Sequence, residues 1–273
     1  MTQGYLLLGV GKRYILENSF LAKTIRKQGD NRPISILINR EDEEYAKSFD
    51  CFTDTVSYDV PKNDKVYNDC NNAFEINCVY PRLNLNHYSN YDQTINLDSD
   101  VLCQYSTENL WKYLTDGKFS VANLGNKVAD PNWHWGQSRT ISQIVGKNIP
   151  SMHCGFNYFK RDSISDSFYE STKSIFLKYD IYGCKRFFRG SRTEEAVYSL
   201  AYTELGISPI GYTEFPIMTF NYTKNEILPK NEQVLLDENN RRVALDENIP
   251  FIHMFEKMEG ENFQALYKQI MEK

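Results

Sequence analysis

The first forty residues alternate between apolar and polar positions in a way that predicts a strand, a loop, a helix and a second strand. Gly4 to Gly9 is a short apolar run that leads into Val10 and Gly11, and Tyr14 to Gln28 places Ile15, Phe20, Leu21 and Ile25 at helical spacing. Gly29 supplies a helix stop, and Pro33 to Ile38 (PISILI) reads as a buried strand. A helix between two buried strands implies that they run parallel, so the pattern predicts the start of a doubly wound sheet. Further on, Glu41 to Lys47 reads as a short helix, Asp54 to Tyr58 as a strand, and Thr94 to Leu97 as a strand running straight into Asp98. Asn109 to Leu114 suggests a helix, Phe119 to Asn123 a strand, Lys127 to Gln137 a polar and aromatic loop, and Phe156 to Phe159 another strand. Ser165 to Lys178 and Thr193 to Leu205 are helical in period, Gly206 stops the second, and Asn262 to Met271 is a final amphipathic helix.

At 273 residues the chain fits one α/β domain, and no repeat or Pro/Gly/Ser-rich linker divides it. With 41% hydrophobic and 14% aromatic residues it carries enough apolar surface for a large core, which excludes a disordered chain. The net charge of -5 is spread along the sequence, so no field for nucleic acid exists. The opening MTQGYLLLGVGKRY has an apolar run far short of the ~20 residues of a membrane span and no signal-peptide layout, from which a cytoplasmic protein without an integral membrane segment is expected. Six cysteines without a CxxC pair read as reduced, mostly buried thiols, and the many asparagines as compositional bias.

Candidate chemistry begins at NLDSDVL. Asp98 and Asp100 flank a serine at the carboxyl end of an expected strand, the edge where open α/β sheets gather ligands. Two carboxylates at that spacing can turn towards one cation; their hard oxygens suit Mg2+ or Mn2+ and leave coordination positions for phosphate oxygens. The loop Trp133-His134-Trp135-Gly136 offers indole faces for the C-H faces of a sugar and an imidazole for its hydroxyls, so an acceptor saccharide could bind there.

The longer segment Tyr80 to Leu102, YPRLNLNHYSNYDQTINLDSDVL, resembles the corresponding stretch of glycosyltransferase family eight and its relatives: Arg82, Tyr88, Tyr91 and the run Ile95 to Val101 fall where that family has a basic residue, a tyrosine-containing turn, an apolar strand and Leu-Asp-x-Asp. The resemblance implies a single GT-A domain over 1–273, a Rossmann-like, doubly wound mixed sheet with a C-terminal closing helix. Within it, about 1–125 would bind the nucleotide sugar, about 126–260 would bind acceptor and close the site, and 261–273 would form the helix. It further implies transfer of a sugar from a nucleotide diphosphate, a UDP-sugar, to a hydroxyl acceptor, with Mn2+ or Mg2+ and retention of anomeric configuration.

By the same resemblance Gly9, Val10 and Tyr14 lie at the nucleobase, with the Tyr14 ring on uracil, and Arg82, Ser99 and Lys257 complete the donor site. Lys257 in FIHMFEK comes earlier than the family spacing, with Gly260 after it. His253, placed after the last strand, would complete the metal shell of Asp98 and Asp100. His153 and Gly155 in MHCGFNYF match a small-residue turn beside the sugar, although the family's usual Asn-Ala is His153-Cys154 here. Glu194 or Glu195 would face the transferred sugar as an electrostatic stabiliser, one of the two capping its helix. A haloacid-dehalogenase type phosphatase fits less well: its Asp-x-Asp lies on the first strand with a Gly-Thr or Gly-Val turn after it, whereas Asp100 lies far along the chain and precedes Val101. The main alternative, ahead of the phosphatase, is a non-catalytic saccharide- or nucleotide-binding module of the same fold that has lost turnover. Oligomeric state, the particular sugar and the acceptor are not written in the sequence.

Overall fold

The computed structural model describes residues 1–59, 65–68, 73–76, 79–133, 135–186, 192–221, 249–254, 258 and 260–272, with 65–68 and 73–76 as backbone only. In chain order these residues form β1 (Gln3–Gly9), α1 (Lys12–Lys27), β2 (Ile34–Asn39), a 3-10 turn (Arg40–Asp42) leading into α2 (Glu43–Lys47), and β3 (Asp54–Tyr58). A hairpin of β4 (Lys65–Asn68) and β5 (Ala73–Ile76), the single turns α3 (Val79–Arg82) and α4 (Leu85–Tyr88), β6 (Gln93–Leu97), β7 (Val101–Cys103) and α5 (Glu108–Asp116) follow. The second half contributes β8 (Val121–Asn126), α6 (Ser138–Val145), β9 (Ser151–Lys160), α7 (Ser163–Leu177), α8 (Glu194–Leu205), β10 (Met218–Asn221), β11 (Phe251–Met254) and α9 (Glu261–Glu272).

The main sheet has the order β3-β2-β1-β6-β9-β8, with β3, β2, β1 and β6 parallel and β9 antiparallel to both of its neighbours. It is the mixed, doubly wound sheet expected, and β1 shows why. From Gly4 to Gly9 every residue of that strand is buried, so both faces need covering. Leu6 and Leu8 belong to one apolar cluster with Phe168 and Tyr169 of α7 and Ala196 and Val197 of α8. Tyr5 and Leu7 belong to the other, with Leu21, Ala22 and Ile25 of α1 and Leu110, Trp111 and Leu114 of α5. Alternation along one strand thus sets helices on both sides. At the end of β1, a Cβ on Gly9 would stand 2.8 Å from the side chains of Ile15 and Ile36, so glycine is what lets α1 pack this close to the sheet.

A second, three-stranded sheet with the order β10-β11-β7 branches off where the chain leaves β6. Amphipathic α9 closes it: Phe263, Leu266 and Ile270 are buried with Leu102, Ile252 and Met254, and Phe20 of α1 meets Phe263 and Tyr267 edge-on at 5.8 and 4.6 Å. The expected closing helix is therefore present, fixed to α1 as well as to the small sheet. Among the described residues no helix is long and apolar enough to cross a membrane. The described cysteines Cys51, Cys103, Cys154 and Cys184 are free, and all but Cys51 are buried.

Candidate active site

β6 ends at Leu97, and Asp98, Ser99 and Asp100 make the turn that carries the chain into β7. The turn is tied at its ends: the Asp98 N-H donates to the Gly155 carbonyl at 3.1 Å, and the Met254 N-H donates to the Asp100 carbonyl at 2.8 Å. β7 pairs antiparallel with β11 so that Val101 lies opposite His253. That register brings an imidazole from the far end of the chain to the acidic turn. His253 Nε2 stands 2.9 Å from Asp100 Oδ1 and 3.9 Å from Asp98 Oδ2, and ligand atoms of all three residues lie within 4.8 Å of one another. His253 had been expected after the last strand; it lies within that strand, and pairing to β7 fixes its position.

Arg82, in the last turn of α3, reaches the cluster from the other side. Its guanidinium pairs with Asp98 and, at 2.8 Å, with Glu194, while the Tyr198 hydroxyl donates to the Arg82 carbonyl at 2.8 Å. Glu194 and Glu195 sit at the start of α8, where the helix dipole favours negative charge. Neither caps that helix. Thr193 is the N-cap, its hydroxyl accepting from the Glu195 N-H at 3.2 Å, because a threonine in extended conformation reaches that amide with little side chain to order. Glu195 turns its Oε1 to the Cys154 N-H at 3.3 Å. Burial raises the Glu194 carboxyl above its ordinary range, against the pull of the Arg82 charge. Burial likewise pushes the Cys154 thiol well up, with Glu194 and Glu195 adding to the effect, so it is a neutral group and no nucleophile.

The segment around Gly155 owes its shape to a break in the β8-β9 ladder. Asn123 pairs with Asn157 and Leu124 with His153, so the register on β8 skips Cys154, Gly155 and Phe156, while Phe156 still pairs with Leu97 at the end of β6, next to the acidic turn. A Cβ at Gly155 would meet the His153 ring at 2.5 Å and Asp98 Oδ2 at 3.4 Å, so this glycine makes room for both. The His153 and His253 rings meet edge-on with centroids 5.0 Å apart. Buried asparagines hold the bulge: the Asn157 amide donates to the Cys154 carbonyl at 2.8 Å and to Asn96 Oδ1 at 3.1 Å, and the Asn123 amide donates to the Phe156 carbonyl at 3.0 Å. Reading the asparagines as compositional bias missed these three. Their signal was a polar amide in otherwise apolar strands, where it has to find partners.

These elements border a cleft that is open to solvent and holds about 470 Å³ of empty space. Leu8, Val10, Tyr14, Arg82, Asp98, Ser99 and Asp100 line it. A family model described as glycosyl transferase family 8 matches residues 6–178, more than half of the chain.

The chain belongs to glycosyl transferase family 8. It is a glycosyltransferase, and its fold is GT-A. A crystal structure of the galactosyltransferase LgtC in complex with donor and acceptor sugar analogs is similar at a TM-score of 0.58 and 12% identity, covering 97% of this chain and 95% of that one. The apo structure of mouse xyloside xylosyltransferase 1 is similar at a TM-score of 0.53 and 9% identity, covering 93% and 97%. The bifunctional glycosyltransferase WbbM, also apo, gives 0.54 and 11%, covering 82% of this chain and 40% of that one. Identities this low speak for the fold alone. No curated protein matches the sequence.

In this family 8 enzyme the site expected from sequence is brought together for Val10, Tyr14, Arg82, Ser99, Asp98, Asp100 and His253, with Gly155, His153, Glu194 and Glu195 around it. Gly9, between the lining residues Leu8 and Val10, packs against Ile15 of α1 and Ile36 of β2. Trp133 is different: it is buried in the large apolar cluster with Ala129, Ile141 and Ile149, so its indole is core and presents no face to a sugar. Trp135 is half-buried and packs against the same cluster. His134 and Lys257 lie outside the described residues. Sequence reasoning also passed over Glu17, a fully buried acid on α1 whose carboxylate accepts from the Ser99 hydroxyl.

Proposed function

We propose that this enzyme transfers a sugar from a UDP-sugar to a hydroxyl acceptor, using Mn2+ or Mg2+ held by Asp98, Asp100 and His253, with retention of anomeric configuration and in the cytoplasm. The observation that carries this reading is the cluster of two carboxylates and one imidazole, with ligand atoms within 4.8 Å of one another, on a cleft that Val10 and Tyr14 also line. Such a donor set fits a hard divalent cation, since each acid offers an oxygen and the histidine a nitrogen. When bound, the cation supplies Lewis acidity for the departing diphosphate.

The protein's own groups divide the remaining work. Tyr14 offers its ring to the uracil and Val10 an apolar edge. Arg82 orients Asp98 and Glu194 and places a fixed positive charge where a phosphate or sugar hydroxyl approaches. Glu194 and Glu195 face the transferred sugar and stabilise an oxocarbenium-like state. His153 and Gly155 shape the pocket for that sugar, Trp135 and His134 border the acceptor, and Lys257 neutralises diphosphate charge.

Incubation with Mn2+ and a panel of nucleotide sugars tests the reading. Metal-stimulated release of UDP from one donor is the expected result, and release that is indifferent to both the metal and the choice of nucleotide contradicts it.

A further inference from the structure

Glu17 lies on the inner face of α1, one turn after Arg13, with no side-chain surface exposed. A carboxylate in such a place is costly unless its oxygens are engaged, and an apolar residue would continue the packing of Ile15 and Leu21 without that cost. Both oxygens are engaged, and by different parts of the site. Oε1 accepts from Arg13 Nε at 3.2 Å, and Oε2 accepts from the Ser99 hydroxyl at 2.5 Å. Ser99 is the residue between the two aspartates. Three successive residues of the turn are thus held by three elements: Asp98 by Arg82 of α3, Ser99 by Glu17 of α1, and Asp100 by His253 of β11.

We propose that Glu17 is a positioning residue, which through Ser99 fixes the rotation of the acidic turn and through Arg13 keeps that turn in step with the first turn of α1, where Tyr14 faces the same cleft. The proposal rests on the reading that the turn binds a divalent cation. Of the three contacts, those of Asp98 and Asp100 use carboxylate oxygens that a cation would claim. The Ser99 to Glu17 bond uses none of them and survives metal binding. It also commits the Ser99 hydroxyl proton, so Ser99 serves the site through Glu17 rather than by donating to a phosphate.

The test uses the full chain with Mn2+ titrated by calorimetry and the metal dependence of donor turnover measured alongside. Glu17→Gln and Ser99→Ala should each raise the half-saturating Mn2+ concentration by roughly tenfold, as loss of a supporting contact around a metal site commonly does. The double variant should be no weaker than the worse single one, because both remove the same link. Glu17→Asp, whose shorter side chain draws the carboxylate away from Ser99, should not restore wild-type metal dependence. Unchanged Mn2+ dependence in both single variants, or effects that add, would overturn the positioning role while leaving the metal reading in place if Asp100→Asn still abolishes binding. Asp100→Asn binding Mn2+ as the wild type does would instead remove the metal reading and this proposal with it. Should Glu17→Gln fail to fold, Ser99→Ala decides alone, since it deletes the same hydrogen bond and leaves no buried charge altered.

Discussion

Asp30 stands at the edge of the sheet where β1 begins, and Asp98 and Asp100 at the edge where β6 ends. Asp30 and Asp100 are similarly buried, yet their surroundings differ in kind. Asp30 accepts from the hydroxyls of Tyr5 at 2.7 Å and Thr107 at 2.5 Å and from the Arg32 N-H at 2.9 Å, and the Trp111 indole N-H donates onward to the Tyr5 oxygen at 3.0 Å. Those donors are short, rigid and packed in the core. Burial by itself would raise the Asp30 carboxyl, but the bonds from Thr107, Tyr5 and Arg32 together with the Arg32 charge outweigh it and hold the group below its ordinary value. The acidic turn faces Arg82 and His253 instead, groups on separate elements that meet carboxylate oxygens a cation can also reach. A buried acid held inside the core by two hydroxyls, a backbone N-H and the Arg32 guanidinium supports the fold; one whose oxygens meet an arginine and an imidazole at a cleft can exchange partners.

Removing the acids separates the two roles most sharply. Asp98→Asn should lower metal-stimulated turnover by at least about a hundredfold while the melting temperature stays close to wild type, as kinetics and thermal denaturation of one preparation will show. Asp30→Ala should do the reverse, costing about 3 kcal/mol of stability because Tyr5 and Thr107 lose their buried acceptor, with near-normal activity in the folded fraction. If denaturant titration finds Asp30→Ala as stable as the wild type, the contrast between the edges is wrong.

Between these extremes lies Gly155→Ala. Its new methyl would press on the His153 ring and approach Asp98, so a loss of about 1–3 kcal/mol together with weaker Mn2+ binding is expected; a stability loss without any change in metal affinity would separate the bulge from the site. Acid unfolding sharpens the comparison further. Asp30 is held below the unfolded value of about 3.9, so its contribution is full above that pH and is lost as pH falls through the lower folded value. Asp30→Asn should therefore lose less stability than the wild type on acidification below about pH 4, and identical acid limbs would speak against the Asp30 network. The smallest effect is expected for Glu108→Gln. Its partner Arg32 sits at the rim of that network, but the Glu108 side chain is 67% exposed, so the change should cost no more than about 1 kcal/mol and fade with added salt.

Much of this architecture was legible in the chain. β1, α1 and β2 announce themselves because strands covered on both faces are continuously apolar and the helix between them is periodic. The acidic turn was equally visible, since its two aspartates follow an apolar strand directly. The small sheet was not. β7 and β11 are three and four residues long and pair across about 150 positions, so no local pattern marks them, and His253 was placed beyond the strand on which it lies. Trp133 misled for a related reason: a tryptophan between polar residues looks like a binding face until the fold turns it into the core. Glu17 and the asparagines 96, 123 and 157 escaped notice because a polar residue in a buried position shows its purpose only when its partner is known.

The central claim is that the cation binds at the turn after β6. Paramagnetic resonance of Mn2+ titrated into the wild type and into Asp100→Asn, each with and without UDP, addresses it most directly. The wild type should take up one Mn2+ more tightly when UDP is present, and the variant should leave the ion free in solution under both conditions. Equal uptake by the two proteins would contradict the account.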